Sequence, residues 1–375
     1  MSRLRACIQS RKPIPPHILE SIHDLLNRNA ELEPSEMSSL LFSLNLVRTD
    51  CPEHLQKAVF VYANTKVTSS FLHEMNTCEL GKFALAYGFL VSKFFLHADH
   101  TRIVQFIAQE AVNRTHSDTI TTRNLVKCLS LCRVPLDDTV IRFFKWVEIG
   151  GMSIDEQVFV LRAGIDYGII NHELLTKLLS TSMEKTLRKS SSASLLYCVA
   201  MAGCRTDDEY VHTLLNDCDL DPADPRSLVA YWSAHIIGAD LTPFHHLLDK
   251  VVERGLQSSD PRDQTMAASL AYRESRDSLP LEQSRKHLQH REYFVKQYGP
   301  LTPEYKIAPG LIVDEANIEK KIAIELDGPT HYLVNLRTGK KQLNGPTLFK
   351  EKRIRRSGWG LIRFDLLLGE ERRRF

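Results

Sequence analysis

Between Pro34 and Leu256 the apolar residues recur at helical spacing, in blocks rich in small side chains. The blocks are Met37–Val47, Leu80–Leu90, Leu125–Cys132, Val158–Ile165, Ala193–Ala200 and Leu228–Ile237. With Leu40, Phe83, Val126, Phe159, Leu195 and Val229 as equivalent positions, the steps are 43, 43, 33, 36 and 34 residues. A second amphipathic segment follows each block: Glu53–Tyr62, Thr101–Val112, Thr139–Glu148, His172–Leu187, Glu209–Leu215 and Phe244–Glu253. Paired helices at such steps predict an α-solenoid over residues 20–256, because neither helix buries its apolar face alone. Small residues such as Ser43, Ala84, Gly88, Ser130 and Ala200 allow close helix approach. A non-repetitive helical bundle is the alternative.

The pattern then breaks. Gln257-Ser-Ser-Asp-Pro-Arg-Asp-Gln264 reads as a helix stop, and residues 257–298 read as a linker with a docking helix over His287–Tyr298. From 299 to 375 the period is that of an α/β unit. Leu311–Glu315 and Lys321–Gly328 read as strands. In the second, Ile322, Ile324 and Leu326 face one way, and Ala323, Glu325 and Asp327 the other. Lys340–Leu343 falls in a loop. A helix opens at Pro346–Thr347 and stops at Ser357-Gly358, and Trp359–Asp365 is a further strand. The fold class expected is therefore mainly α, a helical repeat array followed by a small α/β domain.

Charge sharpens this division. The chain holds 48 Lys+Arg and 46 Asp+Glu, but residues 318–375 carry 14 of the former and 7 of the latter, leaving 34 and 39 for the remainder. A basic end on a slightly acidic chain attracts polyphosphate, nucleic acid above all. Before Glu20 there are Arg3, Arg5, Arg11 and Lys12 but no acidic residue, so residues 1–19 read as a mitochondrial targeting segment. The 8 cysteines are scattered, without a CxxC pair, which fits a reducing compartment and no disulfide framework. Cys128 and Cys132, one turn apart on an apolar block, read as core rather than as metal ligands. No apolar run is long enough to span a bilayer, so no membrane partner is expected.

The run Ile324-Glu-Leu-Asp-Gly-Pro-Thr-His-Tyr332, followed by Leu348-Phe-Lys350, Arg353, Gly358 and Leu361-Ile-Arg-Phe364, resembles a RAP domain, an RNA-binding domain abundant in apicomplexans. RAP domains typically close helical-repeat chains in organellar RNA-processing proteins, the FASTK-type proteins of mitochondria among them. The resemblance covers about 55 residues and implies RNA binding in the mitochondrial matrix. The partners implied are mitochondrial rRNA or mRNA and the proteins of a ribosomal or RNA-processing complex. Lys350, Arg353 and Arg356 fall about a turn apart on one helix and would meet phosphates. His331, Tyr332, Lys340 and Lys341 join them as candidate RNA contacts, Tyr332 as a stacking ring.

RAP domains are similar in outline to restriction-endonuclease-like folds, in which paired carboxylates hold a metal beside a lysine. Asp314, Glu325 and Asp327 are the carboxylates available here. The position two after Glu325, where that motif wants lysine, holds Asp327, with His331 or Lys350 as the replacement cation. The motif is incomplete, so the expectation is a binding protein with no cofactor and no metal. A metal-dependent nuclease and a protein scaffold with a degenerate RAP domain are the alternatives. In the bland reading Glu325 pairs with a Lys or Arg.

Overall fold

The structure is a computed structural model. It describes residues 15–28, 31–47, 51–94, 100–114, 119–132, 138–146, 151–182, 187–204, 206–218, 220–271, 285–308, 310–328, 331–334, 341–366 and 370–374. Most of the proposed targeting segment, and Lys340, lie outside the described residues.

Each apolar block falls on a helix. The first helices of the repeats are α2 (Pro34–Leu46), α5 (Thr77–Phe94), α7 (Thr119–Cys132), α9 (Ile154–Asp166), α11 (Lys189–Ala202) and α13 (Pro225–Ile237). The second helices are α3 (Glu53–Lys66), α6 (Thr101–Asn113), α8 (Asp138–Trp146), α10 (His172–Ser182), α12 (Asp208–Asp217) and α14 (His245–Leu256). Helix α1 (Pro16–Asn27) precedes them, and the short α4 (Ser69–Glu74) sits between α3 and α5. Helix ends carry local signals: Asp207 and Asp224 cap α12 and α13 through side-chain oxygens, and Gly203 and Gly238 end α11 and α13 in left-handed backbone.

The chain divides into two compact units, residues 1–156 with 333–342 and residues 157–332 with 343–375. In the first, α2, α5 and α7 lie side by side in one layer, while α4, α6 and α8 pack in a second. Gly88 is what lets α5 and α7 touch. A Cβ there would stand 2.9 Å from the Cα of Cys128. Cys128 and Cys132 are buried in this contact with their sulfurs 3.8 Å apart, as core residues.

In the second unit α11, α13 and a further helix, α15 (Pro261–Ala271), form the equivalent layer. This corrects the linker expected from residue 257. The repeat array runs on to Ala271, because Pro261 stands in the first helical turn, where its missing N–H costs nothing. Residues 272–284 lie outside the described set.

The C-terminal part is a five-stranded sheet in the order β1-β2-β3-β6-β7: β1 (Thr302–Ala308), β2 (Leu311–Asn317), β3 (Ile322–Asp327), β6 (Gly360–Asp365) and β7 (Glu370–Arg374). β3 and β6 are parallel, joined through α17 (Gly345–Arg356), and the other neighbours are antiparallel. Between β3 and α17 lies a two-stranded piece, β4 (Tyr332–Val334) with β5 (Lys341–Leu343), so Lys341 is in a strand rather than the expected loop. The predicted alternation of β3 is realised. Ile324 and Leu326 join Ile362 and Phe364 against Phe294 and Tyr298 of α16 (Arg285–Tyr298). Ala323 and Leu361 pack with Ile354 of α17. Tyr305 and Trp359 pack as tilted rings, 5.6 Å between centroids, beside this second cluster, giving Trp359 a packing role.

Candidate nucleic-acid interface

Parallel strands β3 and β6 run in register from Ile322↔Gly360 to Asp327↔Asp365, and their carboxyl ends are where open α/β sheets place ligands. Glu325, Asp327, Arg363 and Asp365 all sit there, each buried. Asp327 accepts from Arg363 Nε at 2.6 Å and also takes Arg363 Nη2, a two-pronged pair. Its other partners are His331 Nδ1 at 3.1 Å and the Tyr332 hydroxyl, which donates at 3.2 Å. Burial pushes the Asp327 carboxyl up, but the bonds from His331 and Arg363 outweigh it and hold it below the ordinary range. Arg363 is held above the usual guanidinium value, burial notwithstanding, by the same carboxylate. Asp327 is therefore a structural clamp between β3, β6 and the segment that follows the Asp-Gly turn.

A second cluster lies beside it. Lys350 of α17 turns back to the sheet and meets Glu325 Oε2 at 2.7 Å, with the lysine side chain 28% exposed and the glutamate 1%. Burial works against the ammonium, but Glu325 and Asp314 together hold Lys350 above the usual lysine range. The bland reading of Glu325 is thus the geometry found. Asp314 accepts from the Leu326 amide at 2.6 Å, closing the strand edge where β2 parts from β3. Glu304 of β1, in left-handed backbone at φ 46°, completes the cluster. Burial and the nearby Asp314 carboxylate push it up to about 8, against the pull of Lys350.

These carboxylates do not converge as a metal centre. Among the described residues no three His, Cys, Asp or Glu side chains are grouped to hold a cation. Asp314, Glu325 and Asp327, the candidates for nuclease chemistry, are engaged with a backbone amide, a lysine and an arginine in turn.

The candidate RNA contacts separate into two sets. Lys350 and Tyr332 are turned inward. Tyr332 is 3% exposed with its hydroxyl on Asp327, so its ring offers no free face for a base, and the stacking role expected of it is corrected. Burial lowers Arg353, which is half-buried with its guanidinium 5.7 Å from the Phe349 ring. Arg356 is exposed, Lys341 is half-buried, and His331 has 32% of its side chain exposed beside Asp327. Sequence spacing had joined Lys350, Arg353 and Arg356 on one face. The exposed cations of α17 are instead Lys352, Arg355 and Arg356, with Arg355 3.4 Å from Glu351. Burial of Ile354 signals this face, since 352, 355 and 356 point away from the one apolar position of the basic run.

No protein-family model matches this chain, and the search of curated proteins found no match either. No helix among the described residues is long and apolar enough to cross a membrane.

Proposed function

We propose that this protein binds RNA within a mitochondrial ribonucleoprotein, as a ribosomal component or a factor in ribosome assembly or RNA processing. The observation that carries the reading is on α17, where Lys352, Arg355 and Arg356 stand exposed within about one turn. Such a triad meets successive phosphates and carries no base code. The RAP-like run from Ile324 to Phe364 supports the RNA class, and the acid-free Arg-rich start supports the compartment. Binding rather than cleavage is favoured because the carboxylates at the strand ends are neutralised by Lys350 and Arg363.

The test is UV crosslinking and sequencing of bound RNA in cells. The comparison protein is Lys352→Glu/Arg355→Glu/Arg356→Glu, which leaves the half-buried Lys350 in place. Crosslinks to mitochondrial rRNA or mRNA that fall at least tenfold in the variant support the reading. No crosslinks above background in the wild type would defeat it and leave a protein scaffold.

A further inference from the structure

The layer formed by α2, α5 and α7 has a face that its second helices leave uncovered. On α2 it presents Ser39, Phe42 and Leu46, the last 57% exposed. On α5 it presents Lys82, Leu85 and Phe89, and on α7 Ile120, Arg123 and Lys127, with Ile120 61% exposed. The spacing of three and four residues makes each set one stripe of its helix. Lys82 Nζ lies 6.0 Å from the Phe42 ring centroid, a cation over an aromatic face on the neighbouring helix. None of these stripe positions is acidic. Glu36 and Glu79 are occupied at helix starts, accepting from the backbone of Glu33 and Asn76, and Glu53 lies 3.6 Å from Lys93.

At the C-terminal ends of α2 and α5, where Gln56 and Val59 of α3 close one wall, is a pocket of about 190 Å³. Leu41, Leu44, Asn45, Phe89, Leu90 and Lys93 line it. The Asn45 side-chain oxygen is buried there with no hydrogen-bond partner among the described residues, and a buried acceptor left unmade costs about 1–3 kcal/mol. The volume is below the roughly 300–1,000 Å³ of drug-sized sites, and suits one ring system. Phe89 belongs to both the stripe and the pocket wall.

We propose that single-stranded RNA lies across this face, with one base seated in the Asn45 pocket. Lys82, Arg123 and Lys127 take phosphates, Phe42 and Phe89 take base faces, and the Asn45 oxygen accepts from an exocyclic amine of the seated base. This deepens the RNA-binding reading and rests on it, but assigns a second surface, distinct from α17.

The probe is fluorescein-labelled single-stranded RNA of mixed sequence, titrated with the full chain across a salt series. Lys82→Glu/Arg123→Glu/Lys127→Glu changes one exposed and two half-buried positions, and circular dichroism checks its fold. The inference predicts at least a tenfold drop in affinity and a log–log salt slope shallower by about 2, at roughly 0.7 for each phosphate that a single strand no longer has neutralised. Asn45→Leu should keep that slope but abolish the preference of the wild type among homopolymer RNAs. Wild-type affinity and slope in the triple variant would overturn the inference. If the α17 variant alone then fails to bind RNA, the proposed function stands without this surface. If the array variant fails to bind RNA and the α17 variant does not, the surface stands and α17 does not. No binding by the wild type removes both. Unchanged RNA affinity with release of a protein partner gives the face to protein and also overturns the inference.

Discussion

The first-helix layer is built twice, and its two halves treat the same face differently. In α2, α5 and α7 the stripe carries Lys82, Arg123 and Lys127, with Leu46, Ile120 and Arg123 exposed. In α9, α11 and α13 the corresponding face is aromatic and lies under the C-terminal domain. There the Arg162 guanidinium sits 3.3 Å from the Tyr197 ring centroid, and Tyr197 stacks on Trp232 at 6.2 Å. The domain approaches this ladder backbone-first. A Cβ on Gly310 would come within 2.7 Å of Ile236, and one on Gly345 within 1.8 Å of the Ile165 carbonyl oxygen. Tyr197 is buried and Trp232 half-buried as a result. Repetition supplies the shape, and a few side chains decide whether it takes a folded domain or a charged partner.

Removing the cover is the strongest way to break this contrast. Asp327→Ala leaves Arg363 buried without its carboxylate, which costs about 3–5 kcal/mol. Denaturant unfolding should show that destabilisation. Hydrogen exchange should speed up in α11 and α13 while α2, α5 and α7 keep their protection. Equal acceleration in both halves would mean that the cover is not specific to the second.

Gly345→Ala attacks the seat rather than the sheet. The new methyl has no room against the Ile165 carbonyl, so α17 must shift, at about 1–3 kcal/mol. Limited proteolysis should cut around α17 sooner, with the sheet still folded. An unchanged melting temperature would show that the seat yields freely.

A pH dependence confined to the covered half is expected as well. Glu304 is raised to about 8 from an ordinary 4.5, so its contribution is complete below about 4.5 and lost as pH rises through about 8. Asp327 works the other way. Its carboxyl is lowered from 3.8, so its contribution is complete above 3.8 and lost as pH falls through the lower folded value. Stability should therefore decline from about pH 5 to about pH 8, and Glu304→Gln should flatten that decline. A wild type whose melting temperature does not fall over that range would remove Glu304 as the cause.

How much of this was legible follows from the chemistry of each segment. The first helices were legible because blocks such as Leu80–Leu90 are apolar on nearly every side, and their small residues have a packing reason. Strand β3 was legible by strict alternation. Strands β1 and β7 were not. Pro303 and Glu304 interrupt the first, and Glu-Glu-Arg-Arg-Arg in the second reads as a charged tail until β6 provides a partner. The inward turn of Lys350 was hidden for a similar reason. A lysine in a basic run looks solvated unless the carboxylate waiting for it, here Glu325 on another element, is known. The open stripe was invisible in net charge, because three cations on one face vanish in the balance of the whole array.

The parallel pairing of β3 with β6 also sets an order in time. The centre of the sheet needs Gly360–Asp365, which follow β3 by more than thirty residues. A growing chain therefore finishes α9, α11 and α13 well before anything can roof the Tyr197–Trp232 ladder. During that interval an aromatic strip is bare on the nascent protein, so the interval calls for a chaperone, or for quick synthesis through Asp365.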